Sequence, residues 1–360
     1  MNDITKRRPP NNVAASIQGD LFLGFVGNDW SDLSNTIELW DALPKYSVGP
    51  RRQANMRDEK GRLSVHEYSF NIRDEQYRLE IQPASLKVDG EYRDFYPSET
   101  EELVEDVILK IFATQQGGLH DVERHESWVR FSLSSIRREL QARGKTRTLD
   151  QIKHSIEILS NTTIRVFKGD SENPEYTVPI LSDVVKVTRD QYLNGEDKAW
   201  CARLPALITS SVNGLQYRQF SFGTHLSLPS QLSRWLHKWL SNRYTYANST
   251  KSIWISFNSL RRDSGLLEAN RVTKSVKALE GALDELARAE IILHYSKEEQ
   301  RGARNEIIDV IYRLYAHPSF TGQMKAANKR HKDNVAALKT GNRPERIPPK
   351  PSRSLATSDA

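Results

Sequence analysis

A short segment that occurs twice constrains the fold of this chain more than any other feature. Residues 131–138 read FSLSSIRR, and residues 255–262 read ISFNSLRR. The correspondence continues downstream at one constant spacing, in the pairs Ile156 and Leu283, Leu159 and Leu286, Ile164 and Ile291, and Val166 and Leu293. An internal repeat of this kind indicates two copies of one supersecondary unit.

The order of predicted elements is the same in both copies and is typical of a winged helix. It consists of an apolar helix, a short strand, a short helix, a turn, a longer helix and a two-stranded hairpin. The short helix is expected to be capped by Ser134 in the first copy and to begin at Ser259 in the second. We therefore predict an α+β fold of two tandem winged-helix domains with flexible N- and C-terminal extensions. The predicted bounds are 1–60 for the N-terminal arm, 61–190 and 191–317 for the two domains, and 318–360 for a basic, largely disordered tail.

The net charge of the chain is concentrated near its C-terminus. The formal net charge is +6, and residues 325–353 alone contain nine Lys and Arg against Asp333 and Glu345. The rest of the chain is close to neutral, so a DNA-binding surface there depends on where its charges are placed. A single cysteine, Cys201, excludes a disulfide framework and fits a reducing cytoplasm. No signal peptide and no apolar stretch of about 20 residues is visible.

The longer helix of the second copy has the face that best fits DNA recognition. Its apolar residues follow helical spacing and form one buried stripe, namely Val272, Val276, Leu279, Leu283 and Leu286. In a helix-turn-helix, the second helix enters the major groove with its N-terminal half nearest the bases. The predicted DNA contacts in that half are Asn270, Arg271, Thr273, Lys274 and Lys277. The alternative is an ordinary solvated helix face.

Further DNA contacts are predicted on the short helices and in the first copy. Because the first helix of the motif crosses the DNA backbone, the pairs Arg137-Arg138 and Arg261-Arg262 are candidate phosphate contacts, although solvated surface charge is the alternative. On the longer helix of the first copy, Arg147 and Lys153 are candidate secondary contacts, with Gln151 between them. Asp150 and Glu157 on the same face repel phosphate, so a protein-contact role is an equal alternative there.

No pattern in the sequence predicts catalysis. The Gly-rich phosphate loop of P-loop ATPases does not occur, and the histidines lack the pairing that a metal-dependent nicking enzyme uses. A relaxase is therefore disfavoured. We expect a protein that is not an enzyme, with no catalytic residue, no cofactor and no metal ligand.

Over residues 17–315 the chain resembles iteron-binding plasmid replication initiators of the Rep and TrfA-like type. The resemblance rests on the order of several segments, which are 39–46, 67–88, 134–139 and 226–293. It implies a cytoplasmic, plasmid-encoded bacterial protein that binds direct repeats in double-stranded DNA at an origin. It further implies opening of an AT-rich segment, recruitment of the host replication initiator and the replicative helicase, and a homodimer in a form that represses its own gene.

A peptide near the N-terminus adds a partner to this resemblance. Gln18, Leu21 and Phe22 match the Gln-x-x-Leu-Phe peptide with which such proteins dock on the bacterial sliding clamp. A flexible peptide of this type inserts two apolar side chains into a pocket, while the glutamine amide makes polar contacts. Gly19 departs from the commoner leucine and would weaken docking.

A transcriptional regulator with tandem winged helices and no replication role is the alternative to an initiator. Its DNA contacts would be the same. The clamp-type peptide and the long N-terminal arm favour the initiator, because a simple repressor needs neither of them.

Overall fold

The computed structural model describes residues 32–113, 118–187, 199–245, 251–267 and 271–340. The strands described are β1 (Leu33–Thr36), β2 (His66–Ile72), β3 (Glu75–Gln82), β4 (Ala84–Val88), β5 (Glu91–Phe95), β6 (Gly118–Asp121), β7 (Glu126–Phe131), β8 (Thr163–Lys168), β9 (Tyr176–Pro179), β10 (Ser182–Val187), β11 (Ala199–Arg203), β12 (Arg218–Ser221), β13 (Ile253–Ser256), β14 (Ile292–Arg301) and β15 (Ile307–Ala316). The helices described are α1 (Glu38–Ala42), α2 (Pro50–Met56), α3 (Glu99–Ala113), α4 (Leu133–Gln141), α5 (Leu149–Asn161), α6 (Ala206–Asn213), α7 (Phe222–Ser227), α8 (Gln231–Arg243), α9 (Phe257–Ser264), α10 (Val272–Arg288) and α11 (Pro318–Thr340).

The first winged helix consists of α3, β7, α4, α5 and the hairpin β8–β9. Leu103 and Val107 of α3 are buried, as their helical spacing predicts. The backbone N–H of Ser98 donates to Glu101 Oε2 at 2.8 Å, which is the reciprocal half of a capping box. The sheet order is β2-β3-β8-β9, so the predicted strand pair β2–β3 extends the wing into a four-stranded sheet.

Both copies of the repeat begin with the same hydrogen bond. Ser132 Oγ accepts from Ser135 N at 3.0 Å before α4, and Ser256 Oγ accepts from Ser259 N at 3.2 Å before α9. Both capping serines have the extended backbone that N-cap residues adopt. The two helices therefore start earlier than predicted, because the first serine of each Ser-x-x-Ser segment is the cap.

Residues 32–60, predicted to belong to a flexible arm, are folded against the first domain. Strand β1 pairs antiparallel with β12. Trp40 of α1 is fully buried, and its indole Nε1 donates to Glu105 Oε1 at 2.9 Å. The prediction was wrong for this segment, because its elements are too short to show a period and are held by distant residues. Residues 1–31 of the predicted arm lie outside the described residues.

The first domain continues past the predicted boundary between residues 190 and 191. Strand β11 pairs with β7 in a sheet of order β10-β11-β7-β6. Apolar residues up to Leu226 belong to the first hydrophobic core, and the second core begins at Leu228. The predicted boundary was therefore wrong. The chain that follows the wing returns to the sheet of the first domain before the second domain begins.

The second winged helix consists of α8, β13, α9, α10 and the hairpin β14–β15. Its three strands have the order β13-β15-β14. The predicted stripe of α10 is buried against this sheet and α8, with Val276, Leu279, Leu283 and Leu286 at 5% exposure or less. The two tandem winged helices of an α+β protein are thus present in the order that the repeat predicts.

Residues 318–340 form the long helix α11, where the sequence predicts a helix of a few turns followed by disorder. Phe320 and Met324 are buried in the second core, whereas Val335 packs against the first. The helix is longer than predicted, because the apolar residues are spaced too sparsely among lysines to define its length. Residues 341–360 lie outside the described part of the chain. Neither α11 nor any other helix within the described ranges combines the length and apolarity that a membrane span requires.

Candidate nucleic-acid interface

The N-terminal half of α10 displays the basic residues that the sequence predicted. Arg271, Lys274 and Lys277 lie at helical spacing and are exposed, with Thr273 exposed beside them. None of the three cations has a salt-bridge partner among the residues that the structure describes. Asn270, predicted as a fifth contact, lies outside the described residues. This face is therefore an unneutralised cationic surface of the kind that DNA phosphates attract.

The start of α10 adds to this positive potential. Arg271 is the N-cap residue and makes no side-chain capping bond, and the first turn contains no acidic residue. Helix N-termini have unused backbone N–H groups and a partial positive charge, which favour anions. Ser275 Oγ donates to Leu267 O at 3.0 Å and so fixes the helix to the preceding turn.

The acidic residues of α10 have partners inside the second domain, and two of the three bind the wing. Glu280 accepts from Lys297 Nζ of β14 at 2.7 Å. Asp284 accepts from the hydroxyl of Tyr295 at 3.2 Å, and burial together with the carboxylate of Asp284 raises the pKa of Tyr295 to about 12. The third acid, Glu285, accepts from Ser230 Oγ at the start of α8 at 2.6 Å. All three acids lie in the C-terminal half of the helix, so its N-terminal half contains none.

The turn between α9 and α10 is held against the first domain. Gly265 has a left-handed backbone with a φ of +66°, and a Cβ atom built on it would lie 2.7 Å from Ser47 Cβ. Asp263 Oδ1 accepts from the backbone N–H of Asn71 in β2 at 2.8 Å. Ser47 and Asn71 belong to the first domain. Their contacts with Gly265 and Asp263, directly before α10, therefore fix the position of α10 relative to that domain.

The predicted phosphate contacts Arg261 and Arg262 lie at this junction. Arg262 donates to both carboxylate oxygens of Asp263, at 2.7 and 3.0 Å, and these hydrogen bonds raise the pKa of Arg262. The carbonyl of the half-buried Arg261 accepts from the Tyr68 hydroxyl at 3.4 Å. A phosphate at Arg262 would therefore compete with Asp263, a partner that the sequence pattern does not reveal.

The predicted contacts on α5 are engaged within the first domain. Arg147 donates to Thr100 Oγ1 at 3.3 Å and to Thr146 O at 2.8 Å. Lys153 Nζ lies 3.6 Å from Glu157 Oε1. Gln151 Oε1 accepts from Thr148 N at 2.9 Å and so serves as part of the helix cap. The equivalent helices of the two copies thus differ in how far their polar groups are available to DNA.

Arg137 and Arg138 on α4 are differently placed from their counterparts on α9. Arg138 is exposed and Arg137 is half-buried. Within the described ranges, neither takes part in a salt bridge. They remain candidate phosphate contacts of the first copy.

A hairpin that the sequence reading missed covers one side of α5. The strands β4 and β5 are joined at Asp89-Gly90, whose φ values of 52° and 91° are both positive, as a type I′ turn requires. Phe95 at the base of this hairpin makes an edge-to-face contact with His154 of α5, with ring centroids 5.1 Å apart. The Asp-Gly dipeptide is the signal that could have revealed the hairpin.

Buried ion pairs join α8 of the second domain to the first. Arg234 is fully buried and reaches Glu102 at 3.1 Å and Glu99 at 2.9 Å. Lys238 reaches Asp41 at 2.8 Å and also binds Asp106. Because α8 belongs to the second winged helix, these pairs set the orientation of both winged helices together.

The fold and this surface define a protein with two tandem winged helices, of which the second has an exposed cationic helix. No family model matches the chain, and no curated protein matches it. Several solved structures match the chain in fold. The crystal structure of selenomethionine derivatives of domains 2 and 3 of RctB has 12% identity and a TM-score of 0.45, covering 76% of this chain and 99% of that one.

Two further solved structures are similar to this chain. A second crystal structure of RctB domains 2–3 has 11% identity and a TM-score of 0.42, covering 76% of this chain and 97% of that one. The crystal structure of the Pi initiator protein in complex with iteron DNA has 14% identity and a TM-score of 0.41, covering 61% and 91%.

Proposed function

We propose that this protein is a plasmid replication initiator that binds repeated double-stranded sequences, or iterons, at an origin. The observation that supports this most is the exposed cationic half of α10 with Arg271, Lys274 and Lys277, none of which forms a salt bridge with a described residue. Such a helix fits the major groove, where arginine and lysine bind guanine edges and phosphates. The resemblance in sequence order to iteron-binding initiators supplies the biological setting.

The two copies of the winged helix divide the work. The second domain reads the repeat through α10. The first domain contributes phosphate contacts through Arg137 and Arg138, because Arg147 and Lys153 are held by local partners. In this proposal the protein acts by binding, and no step involves a catalytic residue, a cofactor or a metal.

The remaining parts of the proposal rest on the sequence resemblance. They are opening of an AT-rich segment, recruitment of the host initiator and the replicative helicase, a cytoplasmic location, and a homodimer that represses its own gene and limits copy number. Docking on the sliding clamp is assigned to Gln18, Leu21 and Phe22, which lie outside the described residues. Replacing Leu21 and Phe22 by alanine should abolish capture of the purified clamp, and undiminished capture would refute this part.

The central experiment is selection of bound duplexes from a random-sequence library with the full chain. An initiator should enrich a sequence that occurs as several direct repeats beside its gene, next to an AT-rich stretch. A lone inverted repeat would instead identify the alternative, a transcriptional regulator. Both outcomes are read from the DNA alone.

The role of α10 is tested on the selected duplex by fluorescence anisotropy. Lys274→Gln with Lys277→Gln should weaken binding and lower the slope of log affinity against log salt by about 1.8, since each phosphate contact contributes about 0.9. A matched control replaces the exposed lysines Lys60 and Lys251, which lie elsewhere on the surface. An unaltered salt slope in the α10 variant would refute the placement of this helix on DNA.

A further inference from the structure

Helix α11 has two opposite faces with different chemistry. The residues directed inward recur at alternating spacings of four and three, namely Phe320, Met324, Ala327, His331 and Asn334. The exposed residues on the other side repeat the same spacing five positions later, namely Lys325, Lys329, Lys332, Ala336 and Lys339. We call the four lysines of this exposed face the lysine stripe. It is about 21 Å long, because an α-helix rises 1.5 Å per residue.

The lysine stripe is held on a fixed base. The ring of Phe320 stacks on that of Tyr244, with centroids 5.8 Å apart, and Asn328 Nδ2 donates to Thr245 O at 2.7 Å. Further along, the helix lies against β12, and Val335 packs against the core of the first domain. The stripe therefore crosses from one domain to the other as a single surface.

The charge of this surface is predominantly positive, although the exposed Asp333 lies next to Lys332. Asp333 is the only acidic residue of α11. Within the described ranges, none of the four lysines takes part in a salt bridge. Elsewhere on the surface, exposed lysines such as Lys153 and Lys297 have carboxylate partners. The stripe differs from them because its four lysines, along about four turns of helix, have no ion-pair partner in the part of the chain that the structure describes.

The residues between the lysines decide which partner fits. The exposed positions around them are small or polar and include Gly322, Gln323, Ala326 and Ala336. Protein partners are held chiefly by aromatic and other large anchors in desolvated pockets, and membrane-surface helices bury an apolar face. The stripe offers neither of these. A polyphosphate backbone needs only regularly spaced cations, since its contacts position the ligand without reading it.

We propose that the lysine stripe is a second DNA-binding surface, which holds the phosphate backbone of duplex DNA independently of sequence. This rests on the proposed function, in which α10 reads a duplex. The stripe adds affinity for DNA outside the segment that α10 reads, and it does so from a surface to which both domains contribute.

The test uses the full chain and a fluorescent duplex of random sequence. The variant K325Q/K329Q/K332Q/K339Q should bind this duplex more weakly, and its salt slope should fall by about 3 to 4, at about 0.9 for each lost phosphate contact. The melting temperature should be unchanged, because the four side chains face solvent. An unchanged salt slope overturns the proposal. If the variant binds anionic vesicles more weakly than wild type does but binds the duplex equally well, the stripe is a membrane-binding surface and the proposal also fails.

A control variant separates local contacts from total charge. K60Q/K87Q/K186Q/K251Q removes the same number of charges at exposed lysines outside α11. We expect this variant to change the salt slope by less than about 1, the value of a single contact. Equal losses in the two variants would mean that total charge is responsible, and this would refute the stripe as a site.

The α10 variant K274Q/K277Q distinguishes this proposal from the proposed function. If K274Q/K277Q keeps the wild-type preference for the selected repeat over the random duplex, while the stripe variant loses affinity for the random duplex, recognition by α10 fails and the stripe stands. If the stripe variant binds the random duplex as tightly as wild type does, while K274Q/K277Q loses the preference for the repeat, the stripe fails and recognition by α10 stands.

Discussion

Gly265 shows how a single residue couples the recognition helix to the other domain. Its left-handed backbone is unfavourable for alanine, and an added Cβ atom would lie 2.7 Å from Ser47 Cβ and 3.1 Å from Tyr68 Cζ. We therefore expect Gly265→Ala to lower the free energy of unfolding by about 1–3 kcal/mol, from backbone strain and from the clash. Urea denaturation of the full chain measures this value.

Gly281 provides the matched comparison. It lies on the exposed side of α10, and a Cβ atom there would meet nothing within 4 Å. Gly281→Ala should raise the free energy of unfolding by about 0.5–1 kcal/mol, because alanine favours helix. Equal effects of the two substitutions would contradict the role given to Gly265.

Two histidines make the stability of this protein depend on pH. His225 and His237 are fully buried, and burial lowers the pKa of both, well below the usual value for His237. A base whose pKa is lower in the folded chain binds fewer protons there than in the unfolded chain. Its contribution to stability is therefore present above its unfolded pKa of about 6.5 and is lost as the pH falls below that value.

The comparison of wild type with His237→Phe isolates this effect. Burial raises the pKa of Glu102 to about 7, so that this acid titrates in the opposite direction and partly masks the histidines. As the pH falls below about 6.5, the free energy of unfolding of the variant relative to that of wild type should rise by up to about 1.4 kcal/mol for each pH unit. Urea denaturation at several pH values gives this difference, and a difference that does not vary with pH would contradict the assignment.

At the scale of elements, the end of the second domain is set by α11. Truncation after His317 removes Phe320 and Met324, whose side chains are 1% and 0% exposed. Loss of either side chain from a core costs about 2–5 kcal/mol, so we expect this truncation to lower the melting temperature strongly. Truncation after Thr340, which keeps both side chains, is the control. Calorimetry of the two shortened chains tests the difference, and equal melting temperatures would contradict the packing of α11.

The long elements could be predicted from the sequence, and the short ones could not. The helices α3, α5 and α10 have several turns, so their apolar residues recur often enough to define a face. In contrast, α1 and β1 contain few residues, and Trp40 becomes buried only because Glu105 and β12 are brought to it by the rest of the fold. Contacts between residues distant in sequence leave no periodic signal.

The candidate site was predictable in type but not in electrostatic detail. The spacing of Lys274 and Lys277 opposite an apolar stripe placed them on the exposed face of α10. The pairing of Arg262 with Asp263, and of Lys153 with Glu157, depends on rotamers and neighbours that residue type alone does not specify. Charge patterns in the sequence therefore overestimate the number of cations that are available to DNA.

At the scale of the whole molecule, the buried ion pairs of α8 hold the two domains together. We expect Arg234→Ala to lower the free energy of unfolding by about 3–5 kcal/mol, because it leaves the carboxylate of Glu102 buried without its partner. Urea denaturation monitored by far-UV circular dichroism measures the loss.

The double variant with Glu102→Gln separates pairing from packing. Removing the unpaired charge should restore a part of the lost stability, since the buried carboxylate is the main penalty. If Arg234→Ala is equally destabilising in the presence of Glu102→Gln, the ion pair contributes nothing and only the lost packing of the arginine matters.

The shared hydrogen bond at Ser132 and Ser256 has a consequence for how such chains diversify. Each copy obtains its fold from a capping serine and a buried stripe, and neither of these touches the outward side of the longer helix. Substitutions at Thr273, Lys274 and Lys277 therefore carry little folding penalty. For the proposed binding of iterons, this means that new target sequences can be acquired at those positions while the scaffold stays the same.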